Sequence, residues 1–399
     1  MGKRVLFWGR FDHGYSKTRV NAAAFRALGW EVDYFDVKWC CRFGDVEAFF
    51  RGLDRRPKPD LVLVPVCRQR DIAAACRWAH KRGIKVLFDP MISAWDKKVF
   101  EQKKWKPEER RAKRLLAWEK KIMAMPDFIT WDTSCHVDFA AEYLDVPREK
   151  MTPLFTGTDE EVFKPVDGEL VGAALRADRG RLGGNRPLRG FATHGEANTP
   201  SVASAETPLP SSANSVPNTF KVLYHGAYLP LHGTEVIVEA ARMTQDLPIQ
   251  WDFLGWGAYK ASTEAKAAGL KNVRFLEKVP YVKVPEVICA HDIVLGVFGT
   301  TAKAARVIGN KVYECMACAR PTINEFCTGY PPSAKECKAI KFIPPGDPAA
   351  LVKAVEEYRA DWANKEMYFR EARAFFDNEL SMKVVTAQLA DILKRMGVS

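Results

Sequence analysis

Lys311 and Glu314 stand three residues apart in the run Val297-Phe-Gly-Thr-Thr-Ala-Lys-Ala-Ala-Arg-Val-Ile-Gly-Asn-Lys-Val-Tyr-Glu-Cys-Met-Ala-Cys-Ala-Arg-Pro321. On a helix that spacing puts a cation and a carboxylate on one face. Asn310 is a good N-cap residue, and a helix starting there aims unpaired backbone N–H groups at any anion in front of it. Lys311 then meets a phosphate while Glu314 accepts hydrogen bonds from a neighbouring diol, the two contacts a sugar nucleotide requires. An ordinary capped helix with a solvated Lys and Glu has the same string, so the rest of the chain must decide between them.

Strand end, glycine and helix start recur three times nearby, at Tyr224-His225-Gly226, Leu254-Gly255-Trp256-Gly257 and Phe298-Gly299-Thr300-Thr301. Glycine lets a backbone approach a ligand closely, and loops at helix starts favour anions. Three such sites followed by Asn310, Lys311 and Glu314 point to a nucleotide diphosphate. Elsewhere, Ile84 to Asp89 is a buried-strand pattern ending in an acid. Ligands of open α/β sheets gather outside the carboxyl ends of strands, which makes Asp89 a candidate, although an acid there also serves as a loop cap.

Positioning these groups falls to alternating elements. Strand patterns at Arg4–Trp8, Glu31–Phe35, Leu61–Pro65 and Val86–Phe88 are separated by helical periods near Arg19–Leu28, Asp45–Leu53 and Ile72–Lys81. Such alternation specifies a parallel sheet with crossover helices. From about residue 166 to 217, Gly, Ala, Ser, Asn, Thr and Pro crowd out bulky apolar residues. That composition buries too little surface to offset its ordering entropy, so a flexible linker or insertion without catalytic residues is expected. The rhythm restarts at Phe220 with a strand, the turn Leu229-Pro-Leu-His-Gly233, a helix over Thr234–Met243 and strands at Ile249–Leu254, Val273–Leu276 and Ile293–Leu295. Terminal helices are expected over Glu357–Phe376 and Met382–Met396.

At 399 residues the chain passes the roughly 250 to 300 at which single cores stop growing, so two domains are expected. Lys and Arg exceed Asp and Glu by 60 − 49 = 11, and the pI is about 9.1, which favours anionic partners. Ten cysteines lack a second Cys-x-x-Cys or a His pair, the pattern of reduced thiols in a cytosolic protein with no metal site. No window reaches the roughly 18 apolar residues of a membrane span, so membrane contact would be peripheral, on the inner face. The stretch 97–121 holds eleven Lys or Arg against four Glu, with Trp105, Leu115, Leu116 and Trp118 among them. It suits an anionic membrane surface or a phosphorylated lipid, or equally a solvated helix face. No aromatic platform or recognition motif supports a nucleic-acid partner. Gly9 to Gly14 gives no full Gly-x-Gly-x-x-Gly, which argues against a dinucleotide oxidoreductase.

Three segments carry a resemblance: Tyr224-His-Gly-Ala-Tyr-Leu-Pro-Leu-His-Gly-Thr-Glu-Val-Ile-Val-Glu-Ala-Ala, Phe253-Leu-Gly-Trp-Gly and Leu295-Gly-Val-Phe-Gly through Glu314-Cys-Met-Ala. Over roughly residues 220–345 the chain resembles glycosyltransferase family 4. Lys85-Val-Leu-Phe-Asp-Pro-Met-Ile-Ser, Asp132-Thr-Ser-Cys-His and Gly157-Thr-Asp-Glu-Glu-Val-Phe-Lys-Pro extend it more loosely. The resemblance implies a GT-B fold, two Rossmann-like α/β domains with parallel sheets facing a central cleft. The expected division is an acceptor-side domain over 1–165, the insert over 166–219, a donor domain over 220–375, and a helix over 376–399 crossing back. It also implies metal-independent transfer from a nucleotide diphosphate sugar with retention at the anomeric carbon.

By the same resemblance, Glu314 matches the family's ribose-binding glutamate and Lys311 lies in the phosphate-side segment. Arg306 stands where the family's first glutamate falls, eight residues earlier. His225, Gly226, His232 and Gly233 are expected as diphosphate contacts, joined by Gly255, Gly257, Gly299, Thr300 and Asn310 along the donor. Lys311 and Arg306, with the Gly226 and Gly299 loops, are the groups expected to meet charge on the leaving oxygen. Asp89 is expected to orient the acceptor hydroxyl or act as base. The leading expectation is thus a hexosyl-type transferase acting on a glycan or lipid-linked acceptor. The altered position 306 keeps a nucleotide-sugar-binding protein without transfer, and a nucleotide-sugar isomerase, as alternatives.

Overall fold

Val5, Leu6, Phe7 and Trp8 are all buried, the signature of a central parallel strand covered on both faces. In this computed structural model, which describes residues 2–166 and 219–398, they belong to the first of two sheets. The linker or insertion expected over 166–219 falls almost wholly outside the described residues. The first sheet holds β1 (Arg4–Gly9), β2 (Glu31–Asp36), β3 (Leu61–Val64), β4 (Lys85–Phe88), β5 (Phe128–Trp131) and β6 (Met151–Pro153). The second holds β7 (Phe220–His225), β8 (Ile249–Leu254), β9 (Val273–Leu276), β10 (Ile293–Leu295), β11 (Thr322–Glu325) and β12 (Ile340–Ile343). Their orders are β2-β1-β3-β4-β5-β6 and β12-β11-β10-β7-β8-β9, with the paired strands parallel throughout.

These are the two Rossmann-like α/β units expected. In each, the strand order reverses beside the unit's first strand, leaving a crevice outside the carboxyl ends of β1 and β3 and another outside β7 and β10. The loops that follow β7 and β10 are those that carry Gly226 and the run from Val297 to Asn310.

The helix Met382–Arg395 returns to the first unit. Its Val385, Leu389, Ile392 and Leu393 share one apolar cluster with Val5, Phe7, Val20, Phe25 and Leu87. Lys3 Nζ donates to the Val398 carbonyl at 3.0 Å beside it. The single helix expected over Glu357–Phe376 is instead two, Pro348–Ala360 and Lys365–Phe375. Asp347 caps the first by accepting from the Ala350 N–H, and Asp361 closes the break by accepting from Asn364 and Tyr368.

Candidate functional site

β7 ends at His225, and Gly226 then takes φ +123°, passing over the lysine of the next helix: a methyl at Gly226 would lie 3.5 Å from Lys311 Cε. That helix runs Asn310–Ala317. Its cap is Gly309 rather than the expected Asn310, because Gly309 has the extended backbone (φ −60°, ψ 141°) and its carbonyl accepts from Val312 N–H. Asn310 is the first helical residue, and its side chain lies within hydrogen-bond reach of Tyr15 in the other unit. The cap offers no side-chain bond to the first turn.

Lys311 is buried, and its Nζ sits 3.9 Å from the centroid of the Tyr224 ring with no hydrogen-bond acceptor. Burial pushes its pKa down to about 7, against the weaker pull of Cys315 and Glu314. Glu314 lies one turn on, its side chain 14% exposed, with Oε2 3.5 Å from His225 Nδ1. Burial raises its carboxyl to about 8, with Lys311 and Arg19 opposing. His225 is buried too, and burial followed by the charge of Lys311 drives its imidazole down to about 3, so it stays neutral. The crevice of the second sheet therefore holds an unpartnered ammonium beside a carboxyl acceptor. A buried cation without a hydrogen-bond acceptor is costly, and an anion beside it would offset that cost.

The other expected donor contacts divide. A methyl at Gly255 would lie 1.9 Å from the Gly226 carbonyl, and one at Gly233 would lie 2.6 Å from the Phe298 carbonyl. Gly257 and Gly299 are pressed in the same way against Tyr228 and Leu231 backbone. These four glycines let neighbouring strand-end loops stack on one another; Gly226 alone of the five opens toward Lys311. His232 Nδ1 contacts the Ala227 carbonyl and the Tyr224 hydroxyl, the latter at 2.9 Å, and burial holds the ring neutral. It braces the β7 loop. Thr300 is exposed at the loop tip.

Arg306, expected to meet charge on the leaving oxygen, is held by residues of the first unit. Its Nη2 donates to Asp96 Oδ1 at 2.6 Å, its guanidinium lies 4.4 Å from the Phe139 ring, and its carbonyl accepts from the Thr133 hydroxyl at 2.6 Å. All three partners belong to the first unit. Lys303, buried in the same loop, donates to Glu101 at 2.6 Å. Two ion pairs thus clasp the units together. Sequence reasoning missed Asp96, Glu101 and Lys303, since their partners lie about two hundred positions away and leave no local signal.

Asp89 follows β4 and is buried, its Oδ2 accepting from Asn21 Nδ2 at 2.7 Å and lying 3.8 Å from Lys17 Nζ. Burial raises its pKa, with Lys17 and Asn21 working against the rise. Lys17 also donates to the Leu154 and Phe155 carbonyls, while Asp89 Oδ1 has no partner. A second buried pair, Asp132 and His136, follows β5, and His136 Nε2 is likewise unpartnered. Lys17 and Asn21 come from the helix Ser16–Ala27, where nothing in the sequence marks them. In the basic stretch 97–121, Trp105, Leu115, Leu116 and Trp118 are half-buried and pack against the first unit's core.

Residues 219–361, which include Gly226, Lys311 and Glu314, match the family model for glycosyl transferases group 1. No curated protein matches the chain. Solved structures do: HepE of Anabaena in complex with UDP, at TM-score 0.66 and 12% identity, covers 99% of this chain and 100% of that one. Sucrose-phosphate synthase of Thermosynechococcus elongatus gives TM-score 0.69 and 15% identity over 99% of each chain. A glycosyltransferase of Rickettsia africae gives 0.68 and 11% over 100% of each. The fold is GT-B. With the match over the second unit, these findings support the glycosyltransferase superfamily. In GT-B terms, the Lys311–Glu314 crevice lies in the matched unit and Asp89 in the facing one. No helix among the described residues is long and apolar enough to cross a membrane.

Proposed function

We propose that the protein is a retaining glycosyltransferase that moves a hexosyl-type sugar from a nucleotide diphosphate sugar to a glycan or lipid-linked acceptor in cytoplasmic polysaccharide or glycoconjugate synthesis. One observation carries the reading: the buried, unpartnered ammonium of Lys311 beneath Gly226, one helical turn from Glu314. A diphosphate in that crevice gives Lys311 the acceptor it lacks, and Glu314 takes hydrogen bonds from the ribose hydroxyls. As the bond to the anomeric carbon breaks, Lys311 and the first-turn N–H groups of Asn310–Ala317 hold the charge gathering on the leaving oxygen. The acceptor oxygen bonds to the anomeric carbon on the face the leaving oxygen departs from, its proton passing to that leaving oxygen, which yields retention without a metal. Asp89, fixed by Asn21 and Lys17, presents its unpartnered oxygen to the acceptor hydroxyl. The likeness to structures solved with UDP and UDP-glucose favours a uridine donor among those to be tried.

The test is donor hydrolysis and transfer across a panel of nucleotide sugars. Glu314→Ala should abolish both while the fold, followed by circular dichroism, is retained; normal turnover in that variant overturns the site. A second reading, nucleotide-sugar binding without transfer, draws on Arg306, which stands at the family's first glutamate and is committed to Asp96. Tight donor binding with no turnover on any acceptor would decide for it.

A further inference from the structure

The short helix Gly44–Phe50 is built inside out. Gly44, Glu47 and Ala48 are buried, whereas Val46, Phe49 and Phe50 face water with Phe43 and Trp39 beside them. Phe49 and Phe50 are each 69% exposed, Trp39 58% and Phe43 55%. A surface helix ordinarily turns its apolar side to the core, and a cluster of four exposed aromatic rings marks a contact surface. Glu47 makes the patch rigid. Its carboxylate accepts from the N–H groups of Lys38 at 2.8 Å and Trp39 at 2.9 Å, and from Arg51 at 2.7 Å, stapling the Trp39 loop to the helix. The Trp39 and Phe50 rings then lie 6.0 Å apart, and Phe49 meets Phe50 edge-on at 5.5 Å.

Exposed Lys38 and Arg42 adjoin Trp39 and Phe43 in the chain, and exposed Arg55, Arg56 and Lys58 follow the helix. None of them has a carboxylate within ion-pair distance among the described residues. The patch also borders a cavity of about 660 Å³ lined by Arg10, Trp39, Arg42, Arg70, Trp118 and Lys121. Arg10 and Arg70 follow β1 and β3, at the crevice where the first sheet's order reverses.

We infer that the first unit docks on an anionic lipid bilayer through Trp39, Phe43, Val46, Phe49 and Phe50, with the flanking cations at the headgroup phosphates. Rings that enter the headgroup boundary and cations that stay at its surface are the chemistry of interfacial binding. A second copy of the chain is a poor occupant, because a two-fold contact would set the same unpaired cations against each other. Docking here brings the cavity lined by Arg10, Trp39 and Arg70 beside the lipid surface. The inference stands apart from the transferase reading, since it needs no turnover.

Co-sedimentation of the full chain with vesicles tests it, using phosphatidylcholine alone and an equimolar mixture with phosphatidylglycerol. The protein should bind the mixed vesicles, bind the neutral ones weakly, and lose binding as salt shortens the screening length. Phe49→Ser/Phe50→Ser should lower partitioning about tenfold or more with an unchanged thermal unfolding midpoint. Arg55→Glu/Arg56→Glu should lower binding to the anionic vesicles alone. Equal binding by the serine variant, no binding to either vesicle, or lipid-free dimerisation that the serine variant abolishes would each overturn the inference.

Discussion

Replacing Lys311 by Met separates stability from function in opposite directions. The Lys311 Nζ lies against the Tyr224 ring without a hydrogen-bond acceptor, and burial takes its pKa from 10.5 to about 7. At ~1.4 kcal/mol per tenfold, that fall sets an upper bound of ~5 kcal/mol against the charged form. The sign follows from proton binding: between about 7 and 10.5 the unfolded chain holds a proton that the folded one has released. The contribution to stability is therefore complete above the unfolded pKa and is lost as pH falls through about 7. Lys311→Met removes this titration while keeping an unbranched apolar stem. The ligand-free variant should be more stable than the parent at pH 7 and below, by ~2 to 5 kcal/mol, with the gap closing in alkali. Its loss toward a nucleotide sugar should be that of a charge-assisted hydrogen bond, ~1.5 to 3 kcal/mol, or about 10- to 150-fold in kcat/KM. Thermal unfolding with and without donor, over a pH series, reads both. A variant that unfolds earlier than the parent without ligand, or that keeps the full donor-induced shift, would refute the assignment of Lys311 as an anion-receiving cation.

Glu314 titrates in the opposite sense. Its folded pKa, raised to about 8, gives stability that is complete below about 4.5 and lost as pH rises through about 8, so Glu314→Gln should flatten the fall in urea midpoint across that window; matching profiles would contradict it. Arg306→Glu sets two carboxylates together where the Asp96 pair was, at a cost of about 3 to 5 kcal/mol for a broken buried pair, and should open the two units. Small-angle scattering should show a larger radius of gyration, and unchanged scattering would count against the clasp. Gly255→Ala, whose methyl would fall 1.9 Å from the Gly226 carbonyl, should fail to give a stable fold. Gly226→Ala should fold at a cost of about 1 to 3 kcal/mol of backbone strain yet lose donor binding; a Gly255→Ala protein as stable as the parent would undo that distinction.

The sheets were largely legible. Ile249–Leu254, Val273–Leu276 and Ile293–Leu295 begin and end where the sequence places them, and Ile293–Leu295, buried throughout, reads as an unbroken apolar run. Lys311 and Glu314 were legible because their spacing lies within one helical turn. The glycines were read less well: a glycine that faces a lysine and one that admits a neighbouring carbonyl have the same sequence context, and of the five only Gly226 faces Lys311. Arg306 and Lys303 answer to residues of the other unit, which local periodicity cannot reveal. The segment Phe43–Phe50 breaks the rule that apolar residues face inward, since the buried place is taken by Glu47 to satisfy the Lys38 and Trp39 N–H groups.

The returning helix Met382–Arg395 bears on how this chain comes to be folded at all. Val5, Phe7, Leu61, Leu63 and Leu87 form an apolar sheet face that Val385, Leu389 and Ile392 complete. During synthesis that face emerges long before its cover does, so the common order, in which an N-terminal domain folds as it leaves the ribosome, cannot run to completion here. The apolar face of the first unit is thus closed by a segment that follows the whole second unit in the chain.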